Sequence, residues 1–490
     1  MSTTAEIRAK LQELQSVAEQ LELDASQRTA QLHAVERYTE AFLEELDTQP
    51  VYMPDVVDPE AAQALQLEEQ PVGIDTALTL LKQHVDNSGF NNGSQRFFAF
   101  IPSGGLYPSA LGDFAAAVTN RYAGVQFSAP GVTRLECALL RWLADTMGYP
   151  DSAAGDLTSG GSIAALSAIV AARQAFDIKS KDVDHTVVYI TALTHHTFLK
   201  AMRIAGLAEC PVRTVPIDSA YRMDVNALER SITADAESGL VPWMIVATAG
   251  TTDIGSIDPL ETIADVAQRH GLWMHVDAAY GGGFALCAEG KARLHGIERS
   301  ASLILDPHKG LFLPWGSGVV LVRNGETLYE AYSHPRGSYM QDLPADTLGQ
   351  DRSASDRSPE LTRPFRGLRL WLPLKVMGLA PFRAALEEKL LLAQYFYERI
   401  SAMEGFLVGP SPDLSVVIFR YAPEYGDGNE FNRQLADELR RDGRVLLSTT
   451  MIDGKFGLRM AVLGYNTHLD DVDLTLELLQ KKAAQLVQST

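Results

Sequence analysis

Cysteine is nearly absent from this 490-residue chain. Cys137, Cys210 and Cys287 stand far apart, form no CxxC pair and offer no disulfide framework, which points to a reducing compartment. Basic charge is the second shortage. Lys and Arg number 42 against 62 Asp and Glu, a net charge of −20. Binding a phosphate backbone needs a basic face, so no nucleic-acid partner is expected; the excess acid favours solubility. Long apolar runs are the third shortage. "LWLPLKVMGLAPF" comes nearest and Lys375 interrupts it, so no membrane span is expected. The opening "MSTTAEIRAKLQEL" is polar and lacks the basic-then-apolar order of a secretory leader, so a cytoplasmic location is expected.

What is present is ordinary globular material: 46% apolar and 21% charged residues. The length exceeds one simple core and calls for two or three cooperating domains. Residues 5–46 read as two helices rich in Ala, Leu, Glu and Gln, followed by an irregular acidic stretch. Residues 1–90 are therefore taken as a helical N-terminal segment. From about 150 to 330, β-branched runs ("TVVYITA", "WMIVATAG", "LWMHVDAAY", "ASLILD", "GVVLVR") alternate with helical ones. That alternation predicts a mostly parallel sheet covered by helices, in a large domain over 91–375. Residues 376–490 predict a small α+β domain. The Ser-, Asp- and Pro-rich stretch from 333 to 364 predicts a long mobile loop.

Ligands of such sheets gather at the carboxyl ends of strands, and four features fall there. In "DLTSGGSIAAL", Gly160, Gly161 and Ser162 open an apolar helix, which is either an anion site or an ordinary serine-capped loop. Asp277 follows the strand of "MHVDAAYGGG", as a helix cap or a partner for a buried cation. Lys309, in "LILDPHKGLFLPWGSG", stands where a core forms; it either snorkels to solvent or is a desolvated amine fit for Schiff-base chemistry. The Gly310 that follows it would keep space clear for a ligand. His195 and His196 follow "TVVYITA" and are either structural or a plate for a planar ligand. A phosphate-binding helix end, an aromatic plate, a carboxylate and an amine together match one cofactor, pyridoxal 5′-phosphate. No metal is expected.

The order of motifs resembles the group II pyridoxal-phosphate decarboxylases, which include the aromatic-L-amino-acid, histidine, glutamate and 2,4-diaminobutyrate decarboxylases. "SGGSIAAL", "THHTFLKA", "VATAGTTDIGSIDPL", "HVDAAYGGG", "DPHKGLFLPWGSG", "ELTRPFRGLRLWLPLKVMG" and "FGLRMAVLGYNT" carry it, across roughly residues 70–480. The resemblance implies an α/β architecture of the aspartate-aminotransferase-like type, called PLP fold type I. It also implies that Lys309 binds the cofactor aldehyde, Asp277 pairs with its ring nitrogen, His195 stacks on the ring and Ala279 packs beneath it. His308 and the backbone at Gly160 and Gly161 would hold the phosphate. Thr252 matches a threonine near the cofactor, Asp258 the acid that follows, and Tyr339 a loop tyrosine that returns a proton to the substrate carbon. A homodimer clasped by the N-terminal helices is implied as well.

At the substrate end, "FFAFIPSGGLYPSALGD" resembles the family's pocket-forming stretch. Phe98, Phe100 and Pro102 are its candidate lining, for an aromatic amino acid or simply as core. Arg121 offers an alternative, a bidentate partner for an acidic substrate. Arg363 and Arg366 in "TRPFRGLRLW" match family arginines or form structural ion pairs, and Arg459 in "GLRM" sits where related folds bind a carboxylate. The favoured reaction is decarboxylation of an aromatic L-amino acid. The alternatives are an acidic or diamino acid (glutamate, aspartate or 2,4-diaminobutyrate) as substrate, or a transamination, lyase or oxidative deamination on the same fold.

Overall fold

The computed structural model describes residues 3–54, 61–333 and 352–489, and the chain forms two compact units that meet at Ser94 and Gln95. The first unit is helical. Helix α1 (Thr4–Ala18) starts in a capping box between Thr3 and Glu6, and α2 (Ala25–Glu45) in one between Asp24 and Gln27. A short antiparallel pair follows, β1 (Tyr52–Met53) with β2 (Gly89–Phe90). Helix α1 buries none of its residues and exposes Ile7, Leu11, Leu14 and Val17, a stripe at helical spacing.

The second unit contains two sheets. Seven strands form the larger one: β4 (Ala154–Thr158), β5 (Thr186–Thr191), β6 (Val212–Val215), β7 (Val241–Thr248), β8 (Trp273–Asp277), β9 (Ser302–Leu305) and β10 (Gly318–Val322), in the order β4-β10-β9-β8-β7-β5-β6. From β9 to β6 every pairing is parallel; β10 runs antiparallel to both of its neighbours. Strand β5 is buried throughout and β9 likewise, which is why their sequences are continuously apolar or small rather than alternating. Helix α3 (Pro130–Thr146) leads into the sheet. Helix α4 (Gly161–Ala175) buries Ala164, Ala165, Ala168, Ala171 and Ala172, small side chains that allow close approach to the strands.

The smaller sheet holds β3 (Phe97–Phe98), β11 (Phe406–Val408), β12 (Val416–Tyr421), β13 (Leu446–Ile452) and β14 (Lys455–Ala461), in the order β11-β12-β14-β13-β3. Helices pack on it through Phe396, Leu435 and Leu479. Among the described residues no helix is long and apolar enough to cross a membrane.

The loop expected over 333–364 needs correction in its second half. Ser353, Ala354, Arg357, Ser358 and Arg363 are all buried, because two arginines there reach ion-pair and hydrogen-bond partners in the interior. The remainder, 334–351 with Tyr339, lies outside the described residues.

Candidate active site

Parallel register sets the floor of the site. Thr248 of β7 is level with Asp277 of β8, which is level with Ile304 of β9, and all three line one cleft of about 330 Å³ at the carboxyl edge of the sheet. Beyond β9 the chain turns through a single helical turn, Pro307–Gly310, that aims Lys309 into the cleft. Lys309 Nζ lies 2.9 Å from Oδ2 of Asp306, whose side chain is only 3% exposed. The Asp306 backbone N–H donates to the carbonyl of Ala279, tying this turn to the end of β8. Gly161 lies close against Asp306: a Cβ there would stand 3.0 Å from Oδ2, so the carboxylate would have to give way by a few tenths of an ångström.

The first turn of α4 forms the second wall. Gly160 caps it at φ +149°, with no side chain accepting from the helix N–H groups. Their partial positive charge therefore faces the cleft, beside Ser159, Gly161 and Ser162. Gly318 of β10 packs so tightly beneath that an added Cβ would come within 2.5 Å of the Gly160 backbone. His308 stands next to this turn. Its Nδ1–H donates to the carbonyl of Ser317 at 2.5 Å and its ring meets Trp315 at 5.0 Å between centroids. Burial holds the His308 pKa below the ordinary value, against the pull of Asp306.

Asp277 accepts a hydrogen bond from the backbone N–H of Ala279 at 3.0 Å and remains half-buried in the cleft. Behind it on β8, His275 is fully buried, and burial lowers its pKa to about 4. Its Nδ1 is 2.8 Å from Ser302 Oγ, which also accepts Nε1–H of Trp273 at 2.8 Å. In front, His195 is hydrogen-bonded through Nδ1 to Thr197 Oγ1 at 2.6 Å. Burial lowers the His195 pKa, opposed chiefly by Asp277. His195 and Thr197 line the cleft, whereas His196 is exposed and does not.

Lys309, Asp277, His195, Gly160, Gly161, Ser162, Thr252, Ala279 and His308 thus meet around a single cleft. The expected substrate lining does not join them. Phe98 is fully buried in the core of the smaller sheet, where β3 pairs with β13; Pro102 is buried, and Phe100 is exposed at φ +54°. Gly310 also serves another purpose than expected. A Cβ there would press to 2.8 Å from Gly283 Cα, so the glycine permits backbone packing rather than room for a ligand.

The remaining polar expectations resolve into structure. Asp258 is buried, accepts from the N–H groups of Met223 and Thr248, and has its pKa raised by burial to about 6. Arg363 is sealed with Asp156, Glu136 and the Leu157 carbonyl. Arg366 grips Glu360 at 2.5 and 2.9 Å. Arg459 donates to the carbonyls of Phe100, Thr252 and Asp253 and to Ser448 Oγ, so its guanidinium clamps the 250–254 loop. Arg121 is exposed, away from the cleft.

Sequence reasoning missed Asp306, Thr248 and Trp315 as cleft residues. Asp306 was legible in principle: it stands one helical turn before Lys309 at a strand end. The cleft suits a phosphorylated pyridine aldehyde on its own evidence. An amine, a carboxylate and an uncapped helix end converge in it. Two buried oxygens among its lining residues, Asp306 Oδ1 and Thr248 Oγ1, have no protein partner among the described residues.

Comparison with known proteins agrees. Residues 51–422 match the family model described as the pyridoxal-dependent decarboxylase conserved domain. The aromatic-L-amino-acid decarboxylase of Bacillus atrophaeus is 32% identical over 81% of this chain and 82% of its own. Tryptophan decarboxylase 1 of Oryza sativa subsp. japonica is 31% identical over 80% and 81%. The crystal structure of Oryza sativa TDC with PLP and tryptamine superposes with a TM-score of 0.89 at 28% identity, covering 95% of this chain and 99% of that one.

Proposed function

The chain belongs to the pyridoxal-dependent decarboxylase family and is an amino acid decarboxylase that uses pyridoxal 5′-phosphate, and from that premise we propose that its substrate is an aromatic L-amino acid, released as the amine with carbon dioxide. The observation that carries the reading is the meeting of Lys309, Asp277 and His195 at one strand-end cleft, in a chain whose relatives are named for aromatic, tryptophan and tyrosine substrates.

Lys309, whose Nζ is paired with Asp306, would hold the cofactor through its ε-amine. Asp277 keeps the ring nitrogen protonated; opposite charges about 4 Å apart interact by roughly 4 kcal/mol at an effective dielectric near 20. His195, fixed by Thr197, would stack on the ring, with Ala279 beneath it; both line the cleft. Gly160, Gly161 and Ser162 would present the helix end to the phosphate, with His308 helping to hold it and Thr252 near the cofactor. The bound cofactor supplies an electron sink for the pair left by carbon dioxide. Tyr339 donates the proton that replaces the carboxylate at the substrate Cα. The enzyme acts as a cytoplasmic homodimer, and the apolar stripe of α1 is the part of the N-terminal unit that a second subunit covers.

Purified enzyme given single L-amino acids, with carbon dioxide trapped and amines identified by mass spectrometry, tests the reading. Amines are expected from tryptophan, tyrosine or DOPA. Turnover confined to glutamate, aspartate, histidine or diaminobutyrate overturns the substrate class, and aldehyde in place of amine overturns the reaction. Size-exclusion chromatography with light scattering reports the dimer.

A further inference from the structure

Once the residues set against the cofactor are taken out, the cleft keeps an apolar remainder: Ile163, Leu193, Tyr280, Ile304 and Trp315. Tyr280 and Ile304 are buried, and the Tyr280 hydroxyl is engaged by Ser415, 2.6 Å from its Oγ. Ile163, in the first turn of α4, and Leu193, just after β5, are half-buried. Trp315 differs from them all. Its side chain is large, lines the cleft and is still 50% exposed. Ligand sites are lined by such apolar and aromatic groups around a few fixed polar ones.

The main chain that carries this ring is pinned. Arg369 Nη1 donates to the carbonyls of Trp315 and Gly316 at 3.1 and 2.9 Å, and Arg369 is itself held by both carboxylate oxygens of Asp113, at 2.7 and 2.6 Å. Upstream, the Leu313 carbonyl accepts from Ser103 Oγ at 2.8 Å. Downstream, Gly316 turns the chain toward β10 at φ +94°. The indole meets the His308 ring, which the Ser317 carbonyl fixes in turn. A broad ring on a fixed main chain loses little conformational freedom when a ligand covers it. Charge in the cleft also discriminates. Lys309 is its cation, paired with Asp306, and among the described residues no arginine lines it. An acidic side chain would meet Asp277 and Asp306 with no free cation to offset them. An aromatic ring escapes that penalty and covers apolar surface that now faces water.

We propose that Trp315 is a specificity-determining residue: its indole is the surface on which the aromatic ring of the substrate packs, with Ile163 and Leu193 as further apolar lining. The inference rests on the aromatic reading above and deepens it by naming the group that selects the ring.

The test uses the cofactor-loaded enzyme, with 3-phenylpropionate and propionate as competitive inhibitors of amine production. Neither acid has an amine, and they differ by a phenyl ring, so their relative inhibition constants read ring recognition apart from chemistry. Trp315→Ala is expected to cut the preference for 3-phenylpropionate by about tenfold and to raise KM for the aromatic substrate by a similar factor, with kcat less affected, because the packing is made in the ground state and the transition state alike. Trp315→Phe keeps a ring and is expected to recover most of both. An unchanged preference in Trp315→Ala, in an enzyme that still turns over aromatic amino acids, overturns the assignment of Trp315 and leaves the proposed function standing. So does a loss of cofactor affinity, followed by absorbance titration, with the preference unchanged; the indole then serves the phosphate side through His308. A parent enzyme confined to acidic or diamino acids overturns both.

Discussion

Arg363→Met removes the cation from a sealed group of charges. Arg363 has a side-chain exposure of 0%, and Asp156 and Glu136 have 1% and 2%. Removing one member of a buried pair strands its partners without compensation and costs about 3–5 kcal/mol. Burial already pushes the Glu136 carboxyl pKa up, so part of the loss is relieved by proton uptake there. For a chain of this length the unfolding entropy is about 1 kcal/mol per degree, so the melting temperature falls by about 3–5 °C. The lost donor to the Leu157 carbonyl lies just before the Gly160 turn, so cofactor affinity drops by about tenfold if roughly 1.4 kcal/mol of the loss is felt there. Scanning calorimetry and cofactor titration by absorbance read both effects. Arg363→Lys restores charge without the two-pronged geometry and recovers only part. A melting temperature within 1 °C of the parent, by a criterion of about a quarter of the expected shift, refutes the structural reading. A raised KM with intact stability would instead place Arg363 on the substrate.

Asp258 makes stability fall as pH rises. Its native pKa is about 6 against about 3.9 unfolded, so the folded state holds the extra proton between those values; the wild-type advantage over Asp258→Asn shrinks by about 1.4 kcal/mol from pH 5 to pH 8, and denaturant melts showing the reverse trend exclude this. Gly310→Ala forces a methyl against Gly283 and costs about 1–3 kcal/mol, measurable as a lower denaturation midpoint; an unchanged midpoint refutes the packing role. Asp277→Asn still captures cofactor on Lys309, seen as a borohydride-fixed mass, while kcat falls by about 10³ if the roughly 4 kcal/mol charge interaction is lost; near-parental turnover rejects the assignment. Tyr339→Phe keeps substrate binding but lowers amine production and diverts turnover to other products, and unchanged amine yield removes Tyr339 from the proton-transfer role.

Much of this arrangement was legible from pattern because the relevant side chains sit at strand ends. The apolar runs before His195, Asp277 and Lys309 are buried strands, and each motif starts where its strand stops. Strand β6, read from "PVRTVP", was not visible: it has only four residues, and Arg213 in it reaches out to Asp235. Strand β4 was not visible either, because "AGDLT" carries an acid whose ion-pair partner is an arginine some 200 positions later. Phe98 was left open between pocket and core for a related reason. An aromatic pair reads alike whether it lines a pocket or a core, and only the pairing of β3 with β13 decides. Arg459 looked like a carboxylate binder, since no local pattern reveals that its donors close on backbone carbonyls.

The hydroxyl shared by Trp273 and His275 has a consequence for the acid in front of it. Ser302 Oγ accepts the indole N–H, and its own hydrogen is available to Nδ1 of the imidazole. With its pKa driven down to about 4, that ring stays uncharged under any ordinary cellular acidity. A cation lodged there would draw the Asp277 carboxylate backward into the sheet. A neutral wedge leaves the negative charge undivided, reserved for whatever positive nitrogen arrives from the open side.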